Sequence, residues 1–147
     1  MLRPFDRDEL LGAPARFEHR MAVRFQDVDA AGIVFYPRIL EYFHDAYVAW
    51  LASLGVVLAR VLAERTWAAP IRSAEAEFLR PVTFGDVVDV GVVALAVDGG
   101  DLAVGFRIAR EGKPVAIGRS VHSFVDRATW KRLPGLPEPL GSHLARP

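Results

Sequence analysis

The stretch PRILEYFHDAYVAWLASLG, residues 37–55, decides the architecture of this chain. Ile39, Phe43, Ala46, Trp50 and Leu54 recur at helical spacing as one stripe, and Leu40, Tyr47 and Leu51 widen it far beyond a narrow amphipathic face. The spacing predicts a helix over residues 38–54. Pro37 is tolerated at its first position, where the missing N–H has no intrahelical partner anyway, and Gly55 is the stop. A helix apolar around so much of its girth must be enclosed, so the rest of the chain has to supply a wrapping layer.

Residues outward from the helix have the period of strands. Between Phe17 and Phe25, Met21, Val23 and Phe25 share one face opposite Arg24, and the polar turn Gln26-Asp27-Val28-Asp29 follows. A short helical turn is expected around residues 8–11. Beyond the long helix a shorter one is expected over residues 57–64. Ala74, Ala76 and Phe78 then alternate with Glu75 and Glu77 up to Pro81. Residues 87–97 are rich in valine and end at Asp98-Gly99-Gly100-Asp101, a tight-turn sequence. Leu102, Val104, Phe106 and Ile108 alternate up to the turn Glu111-Gly112-Lys113-Pro114, and residues 115–125 close the series. One strand, a long helix and four strands joined mainly by short turns predict an antiparallel sheet curled around the helix. This is the α+β hotdog architecture.

The bulk properties narrow the class. A chain of 147 residues, 52% hydrophobic and 24% charged, fits one globular domain. We expect that domain to span 1–147, with a core over about 17–126 and two irregular tails. Pro134, Pro137, Pro139 and Pro147 argue against a regular ladder or helix in the second tail. Lys plus Arg and Asp plus Glu balance at 18 each, which gives no support for a nucleic-acid partner. There is no cysteine, so disulfides, thiolate nucleophiles and cysteine metal sites are excluded. The N-terminus lacks the apolar run of a signal peptide, and the most apolar stretch, residues 46–59, is broken by Ser53 and Gly55. The expectation is a cytoplasmic protein with no membrane partner.

The segment DVDAAGIVFYPR, residues 27–38, places two carboxylates in a turn just before the buried helix. The first helical amides are donors without intrahelical partners, and the helix dipole adds positive charge at the same end. An acyl carbonyl laid on those amides would be polarised, and a carboxylate opposite could attack it or deprotonate a water. Only one acid is needed where the leaving group is a thiolate, and no metal or cofactor is required.

The run DVDAAGIVFYPRILEYFHDA resembles the signature of the 4-hydroxybenzoyl-coenzyme A thioesterase family, in which Asp-x-Asp-x-x-Gly-Ile-Val precedes aromatics and a proline. AAPIRSAEAEFLRPVTFGDVVDV is similar to the next two strands of that family, and the likeness runs to about Val125. The resemblance implies a hotdog fold and hydrolysis of an acyl-coenzyme A thioester, with each site placed between two subunits of a homodimer or homotetramer. It implies Asp29 as catalytic carboxylate, nucleophile or general base, and the main-chain amide near Tyr36 as the group that polarises the carbonyl. Gly32 would let the main chain approach the acyl group, and Phe35 and Pro37 would wall its pocket. Phe35-Tyr36 favours an aromatic or compact acyl group, and medium or branched aliphatic chains would fit the same apolar wall.

Other readings compete at several positions. An Asp before a helix often serves only as its cap, and Asp27 reads as a turn residue or a support for its neighbour. Adjacent His44 and Asp45 point about 100° apart on a helix; His44 with Glu41 or Tyr47 is better spaced, though a structural histidine is preferred there and at His122. Glu75 and Glu77 read as a solvated or subunit-facing pair, with Glu75 near the site as an alternative. Gly99 and Gly100 form a hairpin turn, not a phosphate loop. Arg80, Arg107, Arg110, Lys113 and Arg119 are equal candidates for the coenzyme's phosphates. The rival functions are a dehydratase, for which no His–acid pair stands out, a thioesterase for carrier-protein-bound chains, and a non-catalytic acyl binder.

Overall fold

The structure is a computed structural model that describes residue 2 and residues 5–145; Pro147 lies outside them. The long helix, α2, runs Tyr36–Ser53 and buries Ile39, Tyr42, Phe43, Ala46, Tyr47, Trp50 and Leu51. It begins two residues before the expected start, with Phe35 as N-cap and Pro37 one position further in. Leu40 is 37% exposed, and Tyr42, outside the predicted stripe, takes its place in the core.

A five-stranded antiparallel sheet wraps α2. Its strands are β1 (Phe17–Ala22), β3 (Ile71–Phe78), β4 (Val87–Asp98), β5 (Asp101–Arg110) and β6 (Lys113–Ser123), in the order β1-β4-β5-β6-β3. The hotdog expectation is met. The two glycine turns form the β4–β5 and β5–β6 hairpins, where Gly99 has φ 57° and Glu111 and Gly112 have 51° and 76°. β3 departs from the hairpin expectation: it pairs with β6, not β4, and so forms one edge of the sheet. Val88, Val90, Val92, Leu102, Val104, Phe106 and Ile108 are fully buried against the helix. Phe43 stacks on Phe106 at 4.9 Å, which ties α2 to the middle of the sheet.

The outer sheet face is partly covered. Helix α1 (Arg7–Gly12) sets Leu10 against Val93, Ala94 and Ile117. Gly105 leaves room for this contact: a Cβ there would fall 2.6 Å from Leu10 Cδ2, so Leu10 would have to shift. Helix α3 (Leu58–Glu64) follows α2, and β2 (Trp67–Ala68) pairs with β7 (Val125–Asp126) in a small second sheet. The proline-rich tail is not irregular throughout. Its last turn forms α4 (Leu140–Leu144), and Leu140 is fully buried in the main core. Pro137 and Pro139 precede this helix, where proline is compatible with a helix start, so they do not prevent it. No single helix among the described residues is long and apolar enough to cross a membrane.

Candidate active site

The predicted catalytic segment folds as a small closed loop. After β1, a single 3₁₀ turn (Phe25–Asp27) leads into a miniature hairpin in which Val28 bridges Val34. Asp29 N–H donates to Ile33 O, and Gly32 N–H donates back to Asp29 O, both at 3.0 Å. Asp29 Oδ1 accepts Ala31 N–H at 2.8 Å. The carboxylate is exposed at the loop tip and does not cap α2, whose N-cap is Phe35. Gly32 has φ 81° with nothing within 4 Å of its Cβ position. Here the turn's left-handed backbone demands glycine, not a neighbouring atom.

The helix entrance offers fewer donors than a typical N-terminus. Phe35 N–H is bound to Asp27 O, and Arg38 N–H turns back to Phe35 O, each at 2.8 Å. Pro37 has no N–H. Among the described residues, Tyr36 N–H is a first-turn amide without a main-chain acceptor. The expected set of donors is thus smaller than a regular helix start supplies, and Tyr36 N–H is one that remains.

Beside that amide lies an open apolar groove of about 350 Å³, walled by Ile33, Val34, Tyr36, Ile39, Phe78 and Val82. Phe35, Tyr36 and Phe78 form an edge-to-face series, with centroids 5.3 Å and 6.4 Å apart. Gly32, Phe35 and Pro37 are outside the groove's walls, and Phe35 reaches it only through Tyr36. A second cavity of about 160 Å³ lies two turns along α2, between Phe43, His44, Tyr47, Ile71, Ala74 and His122.

Asp27 is the residue whose role the sequence least revealed. Its carboxylate has no solvent exposure and accepts Tyr42 Oη at 2.8 Å, Arg24 N–H at 3.1 Å and the Arg24 guanidinium at 3.0 and 3.2 Å. Burial alone would raise its pKa, but the bonds from Arg24 and Tyr42 outweigh it and hold the carboxyl below the usual range. Burial, together with the bond to Asp27, raises the Tyr42 phenol. The polar turn was a signal for Asp27; its partner, fifteen positions on, had none.

The remaining candidates separate. His44 and Asp45 are both exposed, and Glu41 is engaged by Arg38 at 2.8 Å. His122 is 1% exposed, bonded through Nε2 to Ser120 Oγ at 2.8 Å. Glu77 meets Arg7 of α1 at 2.9 Å and Glu75 pairs with Arg119; both glutamates therefore face away from α2. Arg107 Nη1 donates to Leu10, Leu11 and Ala13 carbonyls at 2.8–3.0 Å, and Arg110 is taken by Asp86 at 2.7 Å. Arg80 donates to Pro114 O. Of the five phosphate candidates, Lys113, which is exposed, is the one whose side chain makes no hydrogen bond or ion pair among the described residues. No group of three or more His, Asp or Glu among those residues is placed to hold a metal.

Comparison with known proteins gives a consistent result. The family profile described as Thioesterase-like superfamily matches residues 23–144. A 1,4-dihydroxy-2-naphthoyl-CoA hydrolase of Synechococcus elongatus is 33% identical over 127 residues, covering 86% of this chain and 93% of that protein. A 1,4-dihydroxy-2-naphthoyl-CoA thioesterase from Synechocystis superposes with a TM-score of 0.82 at 23% identity, over 88% of this chain and 96% of the other. A gentisyl-coenzyme A thioesterase superposes at 0.69 with 25% identity, over 73% and 88%.

Proposed function

The chain belongs to the thioesterase-like superfamily, and on that premise we propose that it hydrolyses an aromatic acyl-coenzyme A thioester to the free acid and coenzyme A. The observation that carries the reading is the pairing of an exposed carboxylate at the tip of a closed loop with a free helix-start amide, Tyr36 N–H, just past the loop's base. Tyr36 N–H, at the positive end of α2, stabilises the oxyanion formed when the carbonyl is attacked. As general base, Asp29 takes a proton from water, whose oxygen adds to the carbonyl carbon; collapse breaks the C–S bond and the thiolate leaves. As nucleophile, its oxygen forms a mixed anhydride that water then cleaves. Both routes give the same products. The named substrates of the relatives, a naphthoyl and a gentisyl thioester, support a hydroxylated aromatic acyl group, as does the aromatic series along the groove.

The working unit in this reading is a homodimer, alone or within a tetramer. β3 is paired on one side only and is exposed along nearly its whole length, which is the kind of edge that invites a second strand. Antiparallel pairing of β3 with its copy sets the Ile71 end of one protomer beside the Phe78 end of the other. Ile71 walls the smaller cavity and Phe78 the groove, so the groove of one protomer continues into the cavity of its partner.

The test is a thiol-release assay over aromatic, short, branched and long acyl-coenzyme A thioesters, with Asp29→Asn alongside. Turnover of an aromatic member that falls about 10²–10⁴-fold in the variant is expected. No turnover of any thioester by the wild-type protein would reject the reading.

A further inference from the structure

The loop that carries Asp29 starts and finishes on Asp27. The main-chain carbonyl of Asp27 accepts Phe35 N–H at 2.8 Å and so closes the loop immediately before α2. Its carboxylate reaches the other way, into the helix itself, where Tyr42 Oη donates at 2.8 Å. Tyr42 is 1% exposed and stands six residues beyond Tyr36, whose amide is a free donor at the helix start. Arg24 grips the same carboxylate from the preceding segment, and Arg38 Nε lies 3.7 Å from it. None of these bonds goes to the five-stranded sheet. They join only the pieces whose relative placement matters to the reaction.

We propose that Asp27 is a positioning residue for thioester hydrolysis, which through Phe35 N–H and Tyr42 Oη holds the Asp29 loop at a fixed separation from Tyr36 N–H. The proposal rests on the thioesterase reading above. Asp27 does not itself react: it has no solvent exposure, and both of its carboxylate oxygens are engaged. Its usefulness is geometric. Asp29 sits on an exposed loop whose own bonds are short-range, whereas a carbonyl must be met by the carboxylate and the amide together, and a misplacement of about 1 Å costs on the order of a hundredfold in rate. A buried ionised group saturated with hydrogen bonds is an effective reference point for such a loop.

The experiment measures kcat and KM for Asp27→Asn, Tyr42→Phe and the double variant on a thioester the wild-type protein hydrolyses, with thermal melts alongside. In Asp27→Asn, kcat is expected to fall about ten- to hundredfold while KM stays within about threefold. Tyr42→Phe gives a smaller fall of the same kind. The double variant is no slower than Asp27→Asn, because Tyr42 acts through Asp27. Three results overturn the proposal: kcat within twofold of wild type in Asp27→Asn, KM rising in step with the loss of kcat, or both single variants unfolded at the assay temperature. Wild-type turnover with an unaffected Asp27→Asn sinks this proposal alone. No wild-type turnover sinks the thioesterase reading and this proposal with it.

Discussion

The ring of Tyr47 lies on that of His122, with centroids 4.1 Å apart and planes 15° from parallel. One ring comes from α2 and the other from β6, so the stack joins helix to sheet where the smaller cavity opens. The stack also buries an imidazole. Burial, followed by the charge of His44, pushes His122 down to about 4 from an ordinary value of 6.5, while the Ala69 main chain opposes the shift. The folded protein keeps this histidine neutral, and the unfolded chain takes up its proton first. The stabilisation is therefore complete above about pH 6.5, declines as pH falls, and is gone below about pH 4. Its full size is about 3 kcal/mol. Urea midpoints taken from pH 7.5 down to 4 should fall accordingly, and His122→Gln should remove that part of the slope. An unchanged slope in the variant would show that another group is responsible.

Arg107 is a structural residue, and its substitution should reveal it as one. One guanidinium nitrogen serves three carbonyls at the end of α1. In Arg107→Ala those carbonyls lose their donor, and stability is expected to drop by about 1–3 kcal/mol in denaturant unfolding. KM for the thioester should not change. A several-fold rise in KM with unchanged stability would return Arg107 to the coenzyme site.

The parts of this fold that the sequence made legible are those with a local period. The helix over residues 38–54 and the valine-rich strands follow from spacing, and the turns follow from Gly99 and Gly112. What was hidden is non-local. The alternation of Ala74, Ala76 and Phe78 marks a strand but does not name its partner, and β3 crosses to β6 and the sheet edge. Leu136, Leu140 and Leu144 are spaced as on a helix, but Pro134, Pro137 and Pro139 around them hid the helix docked in the core. At the site, Asp29 and Gly32 were visible as motif residues. The bond from Tyr42 to Asp27 was not, because Tyr42 lies beside the apolar stripe and its partner is fifteen positions away.

The edge strand gives a test of assembly. Ile71 and Phe78 are 50% and 53% exposed at the two ends of β3, which is costly for a monomer in water but useful at an interface. A lysine at such a position discourages strand pairing. Ile71→Lys should shift the protein toward monomer in sedimentation and remove most of the thioesterase activity, while the melting temperature of the monomer stays high enough for assay. A monomeric variant with full activity would show that one chain holds the complete site.

The assignment of the oxyanion donor to a main-chain group makes an asymmetric prediction for Tyr36 and Asp29. Tyr36→Ala keeps the N–H and the helix start, and removes a ring that walls the groove and contacts Phe35 and Phe78. Its effect should fall mainly on KM, with kcat reduced less than about tenfold. Asp29→Asn keeps the oxygen that accepts Ala31 N–H and loses only the charge. Its melting temperature should match wild type within about 2 °C, because substitutions at exposed positions alter stability little, while kcat falls by the larger factor expected of the reacting carboxylate. Steady-state kinetics of the two variants on one aromatic thioester decide the matter. Loss of kcat in Tyr36→Ala as deep as in Asp29→Asn would move the reaction from the amide to the phenol.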